Sequence, residues 1–262
     1  MINIMQQSFK EQFISIIYYY IGLLGYTWMM VGFFPLIESI KGVYLEQMPE
    51  TFLKFFGGDM LSMTNFEGFI SIEFLALFFI LIVSFYVASS AGSIIAGAIE
   101  KKTMDFNLSQ PFSRNSLVLS ESLVTMLYTG LLVSLTTLSI FILCNLYKIS
   151  ISPNGLLAFA LTATVFLWSI YGIAIFLSSI LKSKITVAAV TVSLVMGFYV
   201  FTAMTAIVDK LKDFARFSLF YNYNPQKLLE SGQPNWHQLE IWAIILLVGI
   251  LGSLFIFNRK DV

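Results

Sequence analysis

The residues able to do chemistry are few. One histidine, His237, and one cysteine, Cys144, leave no Cys-cluster or His-rich metal site and no intrachain disulfide framework. Catalysis inside a membrane needs a converging Ser/His pair, paired aspartates or metal ligands, and the apolar segments hold none of these. No G-x-x-x-x-G-K-[ST] run occurs, so the loop that cradles nucleotide phosphates is missing. Two carboxylates, Glu73 and Glu121, fall within apolar runs, each a turn or two from one end. Their leading reading is interfacial, reaching headgroups or a helix N-terminus; the alternative is a gate or partner contact. One short charged stretch, Glu100 to Arg114, separates two long apolar segments. Its chemistry is that of recognition, with a guanidinium fork, ammonium groups, carboxylates and aromatic rings.

The elements that carry these residues must live in lipid. Hydrophobic residues make up 58% of the 262, charged residues only 11%, and mean hydropathy is +0.83. Soluble domains carry roughly a quarter charged residues, so this chain cannot cover a water-facing surface. Zero formal net charge argues against a nucleic-acid partner. A hydrocarbon core about 30 Å thick takes roughly 20 residues of helix. Six stretches qualify, at about 15–37, 69–98, 116–146, 155–181, 185–208 and 239–257. The expectation is an all-α integral membrane protein, one transmembrane domain over 1–262. The second and third spans are longer than a crossing needs, which implies tilt or protrusion.

Ahead of the first span, Met5, Phe9 and Phe13 recur with Ile2 at helical spacing, opposite Asn3, Gln6, Gln7 and Lys10. This pattern predicts an amphipathic helix along the interface. The run that follows is too long for a signal-peptide core, and no small-x-small cleavage site follows it. Six spans place both termini on one side. That side carries eight Lys/Arg in about 50 residues, the other seven in about 70, so both termini are read as cytoplasmic. Ala88, Gly92 and Ala96, with Ser89, Ser93 and Gly97, repeat every fourth residue and predict close helix packing. On the outer side, Pro49 to Gly58 reads as a short amphipathic helix with Phe52, Phe55 and Phe56 on one face. Residues 209–238 hold Phe214, Phe217, Leu219, Phe220, Tyr221 and Tyr223. They read as a re-entrant cap, an interfacial aromatic belt, or both. Trp236 and His237 belong at the same interface.

Within the charged stretch, Thr103, Phe106 and Gln110 share one helical face, as do Met104 and Leu108. Pro111 ends that helix, because the residue before a proline is pushed from helical geometry. The stretch resembles the loop of ABC-2-type permeases, the membrane subunits of bacterial ABC exporters, which have a type V-like fold. Their loop runs acidic-acidic-x-Gly-Thr, then a Leu-rich segment, then Pro-x-Ser-Arg. Glu100, Thr103, Asp105, Leu108, Pro111, Ser113 and Arg114 fall in step with it. Met48-Pro49-Glu50 through Gly58, Thr64 to Phe69, Leu219 to Pro225 with Leu228-Leu229, and the closing Phe257-Asn258-Arg259-Lys260-Asp261 extend the resemblance over almost the whole chain. Lys102 stands where the family usually has Gly, Lys101 where a second acid is common, and Glu121 where a lysine is frequent.

The resemblance implies a coupling helix between spans two and three that docks on a separate ATPase subunit. Its contact residues would be Glu100, Lys101, Lys102, Thr103, Asp105, Phe106, Leu108, Pro111, Phe112, Ser113 and Arg114. The N-terminal helix would be the family's elbow helix, and the outer aromatic segment its re-entrant cap. The implied partners are two ATPase copies, which hold the ATP and Mg, and a second or homologous permease, in a bacterial plasma membrane. This chain itself would bind no cofactor and hydrolyse nothing. The implied activity is ATP-driven export of an apolar or amphipathic substrate such as a peptide, drug or lipid-like molecule. The competing expectation is a non-transporting membrane scaffold or assembly factor.

Overall fold

The computed structural model describes residues 2–44, 65–104 and 113–260. Among these residues every regular element is a helix, and six are long and apolar enough to cross a membrane. The predicted outer helix over 49–58 lies outside the described residues. Helix starts follow side-chain chemistry. Asn65, Ser113, Ser152, Asn224 and Asn235 each accept a backbone N–H three residues on, which satisfies one of the donors a helix leaves orphaned. Pro153 and Pro225 then occupy the first helical position, where the missing N–H costs nothing.

The second and fourth spans form the centre of the bundle. Some 67% of the most apolar stretch of the second span is buried, against 22% for the first, which leaves most of the first helix facing lipid. The fourth span (Pro153–Ile180) packs along the sixth (Trp236–Arg259) with backbones nearly touching. A methyl group on Gly249 would overlap the Gly172 carbonyl, and one on Gly172 would meet the Leu246 Cα at 2.7 Å. In lipid no hydrophobic force joins helices, so this close approach supplies the attraction. The predicted small-residue stripe faces elsewhere. Gly92 and Gly97 lie against Lys184 at the start of the fifth span, Ala88 and Ala96 are buried, and Ser89 is partly covered. Ser93 is exposed and bonds back to the Ser90 carbonyl.

Two expectations need correction. The first helix is one uninterrupted element, Ile2–Tyr44, with no separate elbow lying along the interface. No glycine or proline interrupts residues 2–21, so nothing ends the helix before the span. Its inner face also runs through the lead-in. Ser8 is buried, Met5 and Phe9 pack on the core, and Phe13 points outward at 55% exposure. The second correction concerns the second span, which is broken rather than continuous. It comprises Phe66–Ile70, a wide π turn at Ser71–Leu75, then Phe78–Ile94 and Ala96–Glu100. The Tyr26 hydroxyl donates to the Glu73 carbonyl and the Tyr223 hydroxyl to that of Leu75, both at 3.2 Å, so tyrosines cover carbonyls at the wide turn. At the second break, the Ser178 hydroxyl accepts the Ala96 N–H.

Residues 209–235 divide between the two readings offered for them. Phe214, Phe217 and Tyr221 are exposed, as in an aromatic belt. Leu219, Phe220, Tyr223, Leu228 and Leu229 fold back among the helices. Phe166 of the fourth span stacks on Tyr223 at 4.6 Å and meets Phe220 and Trp242 edge-on, while the Trp242 indole donates to the Leu219 carbonyl. Gly155 gives room for the Leu229 carbonyl, which a side chain there would strike.

Gly249→Ala is expected to cost about 1–3 kcal/mol, the range for overpacking a tight contact. Gly197→Ala, which meets nothing within 4 Å, is expected to be neutral or stabilising. Thermal unfolding of the purified protein checks both.

Candidate functional site

The charged stretch between spans two and three starts where Ala96–Glu100 ends. There the Thr103 N–H bonds the Ala98 carbonyl and the Lys102 N–H that of Ile99, the paired bonds of a Schellman turn. Such a turn puts one residue in the left-handed region, and here that residue is Lys102 at φ 56°. Only glycine takes this conformation without strain. The family's glycine at this place is thereby explained, and lysine accepts a local cost. Thr103 and the ammonium-bearing Lys101 and Lys102 are exposed, while Met104 turns into the core at 2% exposure. Asp105, Phe106, Leu108, Pro111 and Phe112 lie outside the described residues.

Glu100 does not stand free as a contact. One carboxylate oxygen accepts the Lys184 backbone N–H at 2.9 Å and the other the Ser183 hydroxyl at 3.1 Å. The fifth span (Lys184–Ile207) has no side-chain cap of its own from Ser183, so Glu100 caps it from the second span. A carboxylate at a helix N-terminus also meets the positive end of the helix dipole.

Arg114 is committed in the same way at the loop's other end. Ser113 is exposed, caps the third span (Arg114–Leu146) and shares a hydroxyl contact with Ser116. An arginine in a first turn has the wrong sign for its own helix dipole. Its NH1 instead donates to the Phe257 carbonyl at 2.8 Å and the Lys260 carbonyl at 2.7 Å, and its guanidinium lies over the Phe257 ring. Arg114 therefore caps the C-terminus of the sixth span. Lys260 completes the set, its Nζ donating to the Ser179 carbonyl at the end of the fourth span. Burial and the nearby Lys182 push the Lys260 ammonium below the usual lysine range. Asn258 donates to Asn115 beside it. Both flanks of one loop are thus bonded to the ends of other spans.

A buried polar group lies just inside this surface. The Ser8 hydroxyl donates to Glu121 at 2.6 Å, Gln12 donates to Thr125, and the Tyr86 hydroxyl donates to Gln12 at 2.7 Å. The interfacial reading of Glu121 gives way, because its carboxylate turns inward to the first helix. Glu73 lies about two turns from the start of the second span, half-buried in the wide turn. Ser8, Gln12 and Thr125 were not singled out from sequence, and Lys260 was noted only within the closing motif. The signal for Ser8 and Gln12 was their place at the edge of the face that carries Met5 and Phe9. Among the described residues, no group of three His, Cys, Asp or Glu comes together as metal ligands.

The sequence profile described as ABC-2 family transporter protein matches residues 3–262. The chain belongs to this family. It is a multi-pass membrane permease whose family membership implies association with an ABC ATPase partner, and the permease is not itself the ATPase. No curated relative and no solved structure matches the chain.

In this permease Lys102→Gly is expected to stabilise by about 1 kcal/mol, by relieving left-handed strain. Glu100→Ala is expected to destabilise by about 1 kcal/mol through loss of the cap. Thermal unfolding midpoints give both signs.

Proposed function

We propose that this permease is the membrane subunit of an ATP-driven exporter, and that its Glu100–Arg114 loop receives force from a separate ATPase subunit. One observation supports this above the others. Glu100 holds the start of the fifth span, and Arg114 holds the end of the sixth, whose Lys260 holds the end of the fourth. A push on the loop would move spans two and three directly and these three through charge-assisted bonds. Such bonds are shorter and stronger than neutral ones and tolerate little sliding. Span one would follow through Ser8–Glu121 and Gln12–Thr125. The ATPase would contact the loop through exposed Lys101, Lys102, Thr103 and Ser113, together with Asp105, Phe106, Leu108, Pro111 and Phe112. ATP and Mg would belong to that subunit, in two copies, working with a second copy of this permease or a homologous one.

The denser set of cations at the termini end supports a cytoplasmic reading of that end, and the family resemblance supports a bacterial plasma membrane. The middles of the spans carry no Asp, Glu, Lys, Arg or His, so ion coupling has no binding group there. Cargo would be apolar or amphipathic.

The test is co-purification with candidate P-loop ATPase subunits from the same organism, followed by ATP turnover with and without cargo. Arg114→Ala and Glu100→Gln are expected to preserve the complex and to cut cargo-stimulated turnover about tenfold, through loss of the charge-assisted bonds that link the spans. Phe112→Asp is expected to abolish assembly. Failure to bind any ATPase, or full stimulation in all three variants, would return the chain to the scaffold reading.

A further inference from the structure

A cavity of about 650 Å³ opens at the end of the bundle opposite the termini, a volume within the range of small-ligand sites. One wall is the wide turn of the second span, with Ser71, Ile72 and Ala76. A second is the last part of the fifth span, with Tyr199, Thr202 and Ala203. The folded-back segment closes it with Phe220, Asn222, Tyr223 and Asn224, and the rim carries Gln226, Lys227, Gln233 and Asn235.

Its polar groups are not satisfied from within. The hydroxyls of Ser71 and Tyr199 are buried and have no hydrogen-bond partner, although both residues line this one cavity. Their residues are 3% and 8% exposed. Six buried hydroxyls lack a partner among the described residues, and the two that line this cavity, on two of its walls, point to a partner that occupies it. The side-chain amides of Asn222 and Gln233 stand exposed at the mouth, open to a ligand. Lining chemistry narrows the partner. Among the described residues Lys227 is the one charged side chain lining the space, and it stands exposed at the rim. Hydroxyls and amides each offer donors and acceptors together, which matches groups that also do both. Phe220, Tyr221 and Tyr223 add ring faces and edges.

We propose that this cavity binds the uncharged, hydroxyl-rich headgroup of an amphipathic ligand, in chemical class a glycosylated amphiphile. The proposal deepens the exporter reading, on which its role as a cargo exit site rests, while binding itself needs no ATPase. Amides and hydroxyls pair with the headgroup hydroxyls, and the aromatic rings pack on its C–H faces. The cavity wall and the coupling loop are the two ends of the same second span, so headgroup occupancy bears on the helix that ends at Glu100.

The full chain, carrying Ser231→Cys at the exposed rim, is placed in glycolipid-free phospholipid nanodiscs and alkylated with a membrane-impermeant maleimide. Cys144 is buried, so the new thiol reports the rim. Octyl glucoside below its micelle concentration is expected to slow alkylation about fivefold or more, whereas octyl phosphate, octyltrimethylammonium and an octanoyl tripeptide amide change it less than about twofold. Adding Tyr199→Phe or Ser71→Ala is expected to weaken glucoside protection about tenfold while the unfolding midpoint holds or rises, because each removes an unpaired buried hydroxyl. No protection by the glucoside, equal protection by all four amphiphiles, protection by the peptide or an ionic amphiphile instead, or full affinity in both variants each overturns the proposal. Binding without any ATPase complex would sustain this site and count against the exporter reading alone.

Discussion

Lipid offers no hydrogen bonds, so every backbone N–H and C=O at membrane depth needs a partner inside the protein. Helix interiors meet this demand automatically, and helix ends and breaks do not. The organisation of this permease follows from how those places are served. Tyr26 and Tyr223 cover carbonyls at the wide turn of the second span, and Ser178 takes the N–H freed at its lower break. At the termini surface Glu100, Arg114 and Lys260 serve the ends of the fifth, sixth and fourth spans. None of these partners belongs to the helix it completes.

That arrangement joins stability to function. A cap supplied from another span is also a mechanical link, since moving one helix strains the bond that completes the other. Charged caps are the stronger kind, and they gather beside the loop where an ATPase partner would act. The wide turn lies toward the other end of the same span, where it shapes the outward cavity. A helix with a wide turn can relax by shifting that turn, a freedom an unbroken helix lacks.

Much of the fold was legible from composition and run length. Six apolar stretches of sufficient length implied six helices, and the helices occupy those stretches with ends shifted by a few residues, apart from the first. The first begins about ten residues early because Ser8 and Gln12, on the side of Met5 and Phe9, found Glu121, Thr125 and Tyr86, while Gln6, Gln7 and Lys10 stay exposed. A polar residue at the edge of an apolar face leaves open whether it meets solvent or protein. The break at 71–77 was illegible for a related reason. Ser-Ile-Glu-Phe-Leu carries no glycine or proline, and the partners of the wide turn's carbonyls, Tyr26 and Tyr223, lie about 50 and 150 residues away along the chain.

By itself the sequence determined the solvent, the number of crossings, the family and the place of the charged loop, because each follows from local composition or order along the chain. Tertiary structure decided what the chemistry-bearing residues do. Glu100 and Arg114 read as surface contacts until the ends of spans five and six are brought beside them, and the glycine pair that joins spans four and six lies 77 residues apart. Ser71 and Tyr199 form one site only where the bundle sets the second span against the fifth. Caps, close packing and cavities depend on which ends meet in space, and hydropathy along a chain carries no record of that.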